Sequence, residues 1–152
     1  MYKRQALSRV ISESENSINY KTFIKDISKK KLNTAQSISH AACSVATKQG
    51  IKKIITMTHS GSTARMVSRY RPGAEIIAMT PFKEICRQLG IIWGVRPLLV
   101  RDYNTSDDIP LIANEILMLN KIIKKSEKYV ITGGVPVGVP GTTNYLSVLK
   151  GV

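Results

Sequence analysis

IITMTHSGSTARMVSRY, residues 54–70, is the stretch that decides the fold. Its opening residues Ile54, Ile55, Thr56 and Met57 form a short apolar run of the kind buried on both faces of a parallel sheet. The run passes directly into Thr58, His59, Ser60, Gly61, Ser62 and Thr63, then into a helical segment with Ala64, Val67 and Tyr70 on one face. A hydroxyl-rich turn with one glycine thus joins the carboxyl end of a strand to the amino end of a helix. Free backbone N–H groups and the helix dipole favour an anion there, commonly a phosphate. Thr58, Ser60, Ser62 and Thr63 add hydroxyl donors without adding charge. The plainer alternative is that Ser60 or Ser62 caps the helix, and on the residues alone the cap is preferred.

Upstream, Leu7, Val10 and Ile11, then Tyr20, Phe23, Ile24 and Ile27, recur at three- and four-residue spacing. That spacing predicts one or two amphipathic helices. No strand precedes them, so the chain reads as one with something missing before it. Thr34 opens the next helix, with Ala35, Ile38, Ala42 and Val45 inward and Gly50 at its end. His40, beside that stripe, reads as a packed histidine.

Downstream, Arg71, Pro72 and Gly73 break the chain, and residues 75–80 predict a second strand. Thr80 is expected to cap a helix with Pro81 at its first position, carrying Phe82, Ile85, Cys86 and Leu89. Residues 97–100 predict a third strand. A long helix begins near Ser106, Asp107 and Asp108, whose acids suit the positive end of the dipole. Its expected buried stripe is Ile112, Ile116, Leu119 and Ile123, with Lys124 and Lys125 at its far end. Residues 128–132 and 145–149 predict the last two strands, joined by a loop rich in glycine and proline.

This alternation predicts an α/β fold, a three-layer α/β/α arrangement around a mostly parallel five-stranded sheet. The last connection is too short for a crossover, so the final strand should pair antiparallel. Ligands bind such sheets beyond the carboxyl ends of the strands. Residues 58–63 and 133–143 both begin there, so two loops could close on one ligand. A flexible surface turn is the bland reading of the second.

The chain has 152 residues, 43% of them hydrophobic, enough for one domain with a real core. No apolar run approaches the roughly 20 residues needed to span a bilayer. The basic, polar amino terminus lacks the apolar region of a signal peptide. Cys43 and Cys86 have no metal-ligand spacing and read as small buried residues of a reducing compartment. The expected location is the cytoplasm. Twenty-three Lys and Arg against ten Asp and Glu give a net charge of +13, a balance that attracts polyanions. Yet the basic residues are scattered, with only residues 29–31 and 124–125 as short clusters. Aromatic content is 6%, and no RNA-recognition or zinc-finger motif is present. The sequence therefore argues for a solvated basic surface and against a nucleic-acid partner.

Catalytic constellations are missing from the sequence. There is no Walker GxxxxGK motif, and the glycines of residues 133–141 precede a strand rather than a helix. His40 and His59 are the two histidines, no nucleophile elbow is found, and no clustered carboxylates offer magnesium a site.

The run TMTHSGSTARMVSRYRPGAEIIAMTP resembles the carboxy-terminal domain of pyruvate kinase. That family carries T-x-S-G-x-S/T-A before a helix that ends in a basic-aromatic-x-Pro turn, then a strand ending in threonine. Here these are Thr58, Ser60, Gly61, Thr63, Ala64, Tyr70, Pro72 and residues 76–80. The similarity continues through GIIWGVRPLLV and the helix after Asp107 and Asp108, and ends in PGTTNYLSV, residues 140–148. Residues 7–15, with Ile11, Glu13 and Glu15, resemble the last helix of the preceding catalytic barrel. The resemblance covers essentially the whole chain. It divides the chain into a helical lead-in, residues 1–30, and a carboxy-terminal-like domain, residues 31–152.

Pyruvate kinases make ATP and pyruvate from phosphoenolpyruvate and ADP in glycolysis, using magnesium and usually potassium. The resemblance places their catalytic and metal-binding groups in the barrel, so it implies no cofactor and no activity for these residues alone. It implies a fragment cut near the end of the barrel, or a free-standing relative of the regulatory domain. In the family that domain binds phosphorylated allosteric effectors and builds an interface of the homotetramer. Carried over by position, Thr58, His59, Ser60, Gly61, Ser62 and Thr63 would hold an effector phosphate. Gly138, Val139, Pro140, Gly141, Thr142 and Thr143 would form the loop closing over it. Two departures matter. His59 stands where fructose 1,6-bisphosphate-regulated members of animals and yeast carry lysine. The long helix also lacks their tryptophan and arginine for a second phosphate. A bisphosphate is therefore not implied, while a sugar monophosphate, a nucleotide or inorganic phosphate stays open.

Overall fold

Alternate residues of β1 (Lys53–Met57) face opposite sides of the sheet, and each side is covered by its own helices. The computed structural model describes residues 2–19, 31–139 and 141–152. The chain order is α1 (Tyr2–Asn16), α2 (Thr34–Gln49), β1, α3 (Ser62–Arg69), β2 (Glu75–Thr80), α4 (Lys83–Leu89), β3 (Val95–Leu99), α5 (Asp108–Leu119), β4 (Lys128–Gly134) and β5 (Thr143–Lys150). The expected helical positions Tyr20, Phe23, Ile24 and Ile27 lie outside the described residues.

The strands lie in the order β3-β2-β1-β4-β5, parallel except for β5, which runs antiparallel to β4. On one face Ile55, Met57, Ile77, Met79, Tyr129 and Ile131 pack with Ile109, Ile112, Ala113 and Leu117 of α5. On the other, Ile54, Ile76 and Val130 pack with Ala42, Cys43 and Ala46 of α2 and Val67 of α3. Each fully buried aliphatic side chain contributes about 1.5–3 kcal/mol of transfer free energy, so this pairing of faces fixes the sheet. Pro97 is confined to β3, an edge strand, where its missing N–H is tolerated.

The caps are mixed. Asn33 opens α2 with a reciprocal box: its side chain accepts from Gln36 N at 2.9 Å, and Gln36 Oε1 accepts from Asn33 N at 3.0 Å. Gly50, at φ 65°, ends the helix in the left-handed region that favours glycine. Thr80 does not cap α4. Phe82 takes that place with extended backbone, and Thr80 Oγ1 accepts only the Phe82 N–H, at 3.3 Å. The helix therefore begins two residues later than Pro81 suggests.

The expected stripe of α5 is also corrected. Leu119 is 71% exposed, and the buried positions are Ile109, Ile112, Ala113 and Leu117, with Ile116 half-buried. The helix ends at Leu119, so Ile122 and Ile123 reach the core from the following turn, and Lys124 and Lys125 lie beyond the helix. Cys43 is buried as expected, whereas Cys86 is half-exposed.

Helix α1 buries none of its residues. Its Glu15 accepts a hydrogen bond from Trp93 Nε1 at 3.2 Å, and the Arg71 guanidinium lies 4.8 Å above the Trp93 ring. No helix among the described residues is long and apolar enough to cross a membrane.

Candidate functional site

The turn after β1 is built around Gly61, whose φ of 78° suits glycine. A Cβ there would come within 2.8 Å of Arg65 Nη1. The Gly61 N–H donates to Thr58 Oγ1 at 2.9 Å, folding the turn back on the end of the strand. Gly61 is the N-cap of α3 and no side chain caps that helix, so neither Ser60 nor Ser62 does what the simpler reading expects. Their hydroxyls lie 3.1 Å apart, and Ser60 Oγ accepts only a long 3.4 Å bond from Ser62 N. The first N–H groups of a helix lack intrahelical partners, and here Ser62 N makes only the long bond to Ser60 Oγ.

The second loop comes from the other side of the sheet. Gly133 and Gly134 belong to β4, and Thr143 is the first residue of β5, so the connection is shorter than the composition suggests. Asn144 clamps it: Oδ1 accepts from Val135 N at 2.8 Å, and Nδ2 donates to Val135 O at 2.6 Å. The Thr142 hydroxyl donates to Val139 O at 2.7 Å. The Val135–Pro136 peptide bond is cis. Gly134 allows the close return, since a Cβ would meet Thr142 Oγ1 at 2.7 Å.

The two loops meet. Thr63 Oγ1 lies 2.8 Å from Thr143 Oγ1, with the two residues only 4% and 2% exposed. Together the loops enclose a pocket of about 30 Å³. A water needs about 10–15 Å³ on this measure, so the pocket holds one small polar group and not a whole sugar. Of the expected residues, Thr58, His59, Ser60, Ser62, Thr63, Gly138, Val139, Gly141, Thr142 and Thr143 line it. Gly61 shapes the turn from within, and Pro140 lies outside the described residues.

Gly134, from the expected second loop, also lines the pocket, as do Met57 and Tyr103, which sequence reasoning missed. Tyr103 follows the carboxyl end of β3, so the strand-end rule that flags the other two loops could have flagged it. Its hydroxyl is buried with no hydrogen-bond partner among the described residues. Burial, then the nearby Asp102 carboxylate, push the phenol above its ordinary range, so it stays a donor. His59 packs 4.7 Å from the Tyr103 ring and 5.6 Å from Phe82, and its Nε2 lies 3.5 Å from Asp102 Oδ1.

Among the described residues, no Lys or Arg lines the pocket. Arg65, the nearest guanidinium in sequence, donates to Ser60 O at 3.1 Å and to Gln88 Oε1 at 3.2 Å. The site therefore offers hydroxyls, backbone N–H groups and one imidazole, which suits a single anionic group held by mostly neutral donors. No three His, Cys, Asp or Glu side chains come together among the described residues.

Comparison with known proteins agrees with this architecture. Residues 36–149 match the family model described as the pyruvate kinase alpha/beta domain. A pyruvate kinase of Clostridium acetobutylicum is 36% identical over 143 residues, covering 93% of this chain and 30% of that protein. One of Sporosarcina psychrophila is 32% identical over 145 residues, covering 95% of this chain and 25% of that protein. A crystal structure of Cryptosporidium parvum pyruvate kinase superposes with a TM-score of 0.82 at 27% identity, over 95% of this chain and 29% of that one. The chain thus spans less than a third of the length of these relatives. The matched motifs, the sheet order and the antiparallel last strand agree throughout: the chain belongs to the pyruvate kinase family and carries its carboxy-terminal alpha/beta domain.

Proposed function

We propose that this chain is the regulatory and assembly domain of a cytoplasmic pyruvate kinase, and that it binds a phosphorylated small molecule between residues 58–63 and 138–143. The observation that carries this reading is the pocket at the uncapped amino end of α3, closed by the bond between Thr63 and Thr143. Its size admits a phosphoryl group while the rest of the ligand stays outside, beside His59. The unpartnered Tyr103 hydroxyl supplies a donor that the fold itself leaves unused. The domain is inactive alone: transfer between phosphoenolpyruvate and ADP, with its magnesium and potassium, belongs to the part of the enzyme that the relatives carry and these residues do not.

A thermal-shift titration with glucose 6-phosphate, ribose 5-phosphate, AMP, fructose 1,6-bisphosphate and inorganic phosphate tests the reading. A ligand at 100 times its dissociation constant adds about 2.7 kcal/mol. The expected result is stabilisation by at least one monophosphate, lost in a Ser60→Ala/Ser62→Ala variant that still folds. No stabilisation by any of the five, or stabilisation that the variant retains, would overturn it.

A second reading, an assembly module with a vestigial pocket, is favoured by a groove of about 620 Å³ lined by Pro110, Leu111, Tyr129, Val148, Leu149 and Val152. It runs along β5, an edge strand of eight residues. Edges of that length template pairing with another chain. Sedimentation would show oligomers, and Leu149→Lys would reduce them to monomers.

A further inference from the structure

The hydroxyls that line the pocket differ in one respect. Thr58 Oγ1 accepts the Gly61 N–H at 2.9 Å, and Ser60 and Ser62 share a bond of 3.1 Å. Thr63 and Thr143 share one of 2.8 Å, and Thr142 donates to Val139 O at 2.7 Å. Each of these bonds holds the first two loops in shape. Tyr103 is the exception among the described residues. It lines the same pocket and is 3% exposed, and its hydroxyl is buried with no hydrogen-bond partner.

Buried tyrosines usually find a partner for the O–H. Leaving such a donor without an acceptor destabilises a protein, and phenylalanine would fill the same space without that cost. The Tyr103 side chain is also held in place. Its ring packs 4.7 Å from His59, and its backbone N–H donates to Asp102 Oδ1 at 2.9 Å. The loop that carries it is tied at one end by Val100 N to Thr80 O at 3.0 Å. At the other, the Asp108 carboxylate accepts from Thr105 N at 3.0 Å and Asn104 N at 3.3 Å. An acceptor must therefore come to the hydroxyl. The space beside it admits a water, and an oxyanion in that place accepts the same bond as a charged, stronger partner. A site with a fixed buried donor also rejects groups that bring no acceptor to it.

We propose that Tyr103 is a ligand-contacting specificity residue: its hydroxyl donates to an oxygen of the bound phosphoryl group and so ties the loop after β3, residues 100–107, to the ligand. The inference rests on the reading that residues 58–63 and 138–143 hold that group, and it adds a third loop to the site.

Calorimetric titration of the full chain with inorganic phosphate, ribose 5-phosphate and AMP, in the parent and in Tyr103→Phe, tests the proposal. Each probe that the parent binds should bind the variant about 10- to 100-fold more weakly, the range for a hydrogen bond to a charged acceptor. The ligand-free variant should melt no lower than the parent, since no contact of the fold is lost. Hydrogen exchange adds a readout that a merely structural role would not move. Ligand should slow the exchange of residues 101–107 in the parent and leave it unchanged in Tyr103→Phe. Equal affinity in parent and variant, or no ligand protection of residues 101–107 in the parent, would overturn the proposal. Loss of binding in Ser60→Ala/Ser62→Ala would then leave the two-loop site standing. A Tyr103→Phe chain that melts lower or does not fold would show that the hydroxyl serves the fold, and would overturn the proposal too. Failure of the parent to bind any of the three probes would overturn both this inference and the reading beneath it.

Discussion

Replacing Thr63 with valine keeps its shape and removes one oxygen from the junction of the two loops. Thr63 and Thr143 hold each other's hydroxyls at 2.8 Å, and neither hydroxyl has another partner among the described residues. With Thr63 gone, the Thr143 hydroxyl is left unsatisfied at a site 2% exposed. Stranding one buried polar group costs about 1–3 kcal/mol, whereas removing both partners together is nearly neutral. Thr63→Val and Thr143→Val should each destabilise the domain by about that amount. The double variant should lie close to the parent, giving a coupling of at least about 1 kcal/mol. For a domain of this size 1 kcal/mol shifts the melting temperature by about 2–4 °C, so calorimetry and urea denaturation both resolve the cycle. If Thr63→Val costs less than about 0.5 kcal/mol, or the single costs add in the double variant, the two loops are not joined as described.

Three further outcomes follow from other parts of the molecule. Burial, partly offset by a backbone hydrogen bond, pushes the Cys43 thiol from 9.0 up to about 12. The folded chain then holds a proton that the unfolded chain releases, so this stability is intact below pH 9.0 and lost as pH rises towards 12. Cys43→Ala should flatten that alkaline decline in melting temperature, and a thiol reagent should label the half-exposed Cys86 well before Cys43. Asp108 accepts from the Thr105 hydroxyl at 2.8 Å and from Thr105 N at 3.0 Å, which holds its carboxyl below the usual range. That contribution is present above the unfolded carboxylate's pKa and is lost as pH falls through the folded value. Asp108→Ala should lower the melting temperature at neutral pH and not at about pH 2. In α5, Leu117→Ala should cost about 2–5 kcal/mol by opening a cavity. Leu119→Ala should stay within about 0.5 kcal/mol in urea denaturation, because its side chain faces outward.

Much of this architecture was legible in residues 54–70 before any coordinates. An apolar tetrad, a hydroxyl turn and an amphipathic segment have periods of their own, and those periods dictate strand, loop and helix. The short final connection fixed the antiparallel direction of β5 in the same local way. Local pattern was less dependable at helix ends. Thr80 and Pro81 look like a start signal, yet the backbone stays extended through Phe82. The apolar spacing around Leu119 continues past the point where α5 stops.

What the sequence determined by itself was the order of elements, the burial of the central strands and the two loops at the strand ends, because each depends on neighbours in the chain. Only the tertiary structure decided which distant groups meet. Thr63 finds Thr143 eighty residues on, and Tyr103 arrives from a third loop. Lys53 on β1 meets Glu75 on β2, twenty-two residues away in the sequence. Strand register brings these groups together, and register is set by the packing of whole faces rather than by any stretch of residues alone.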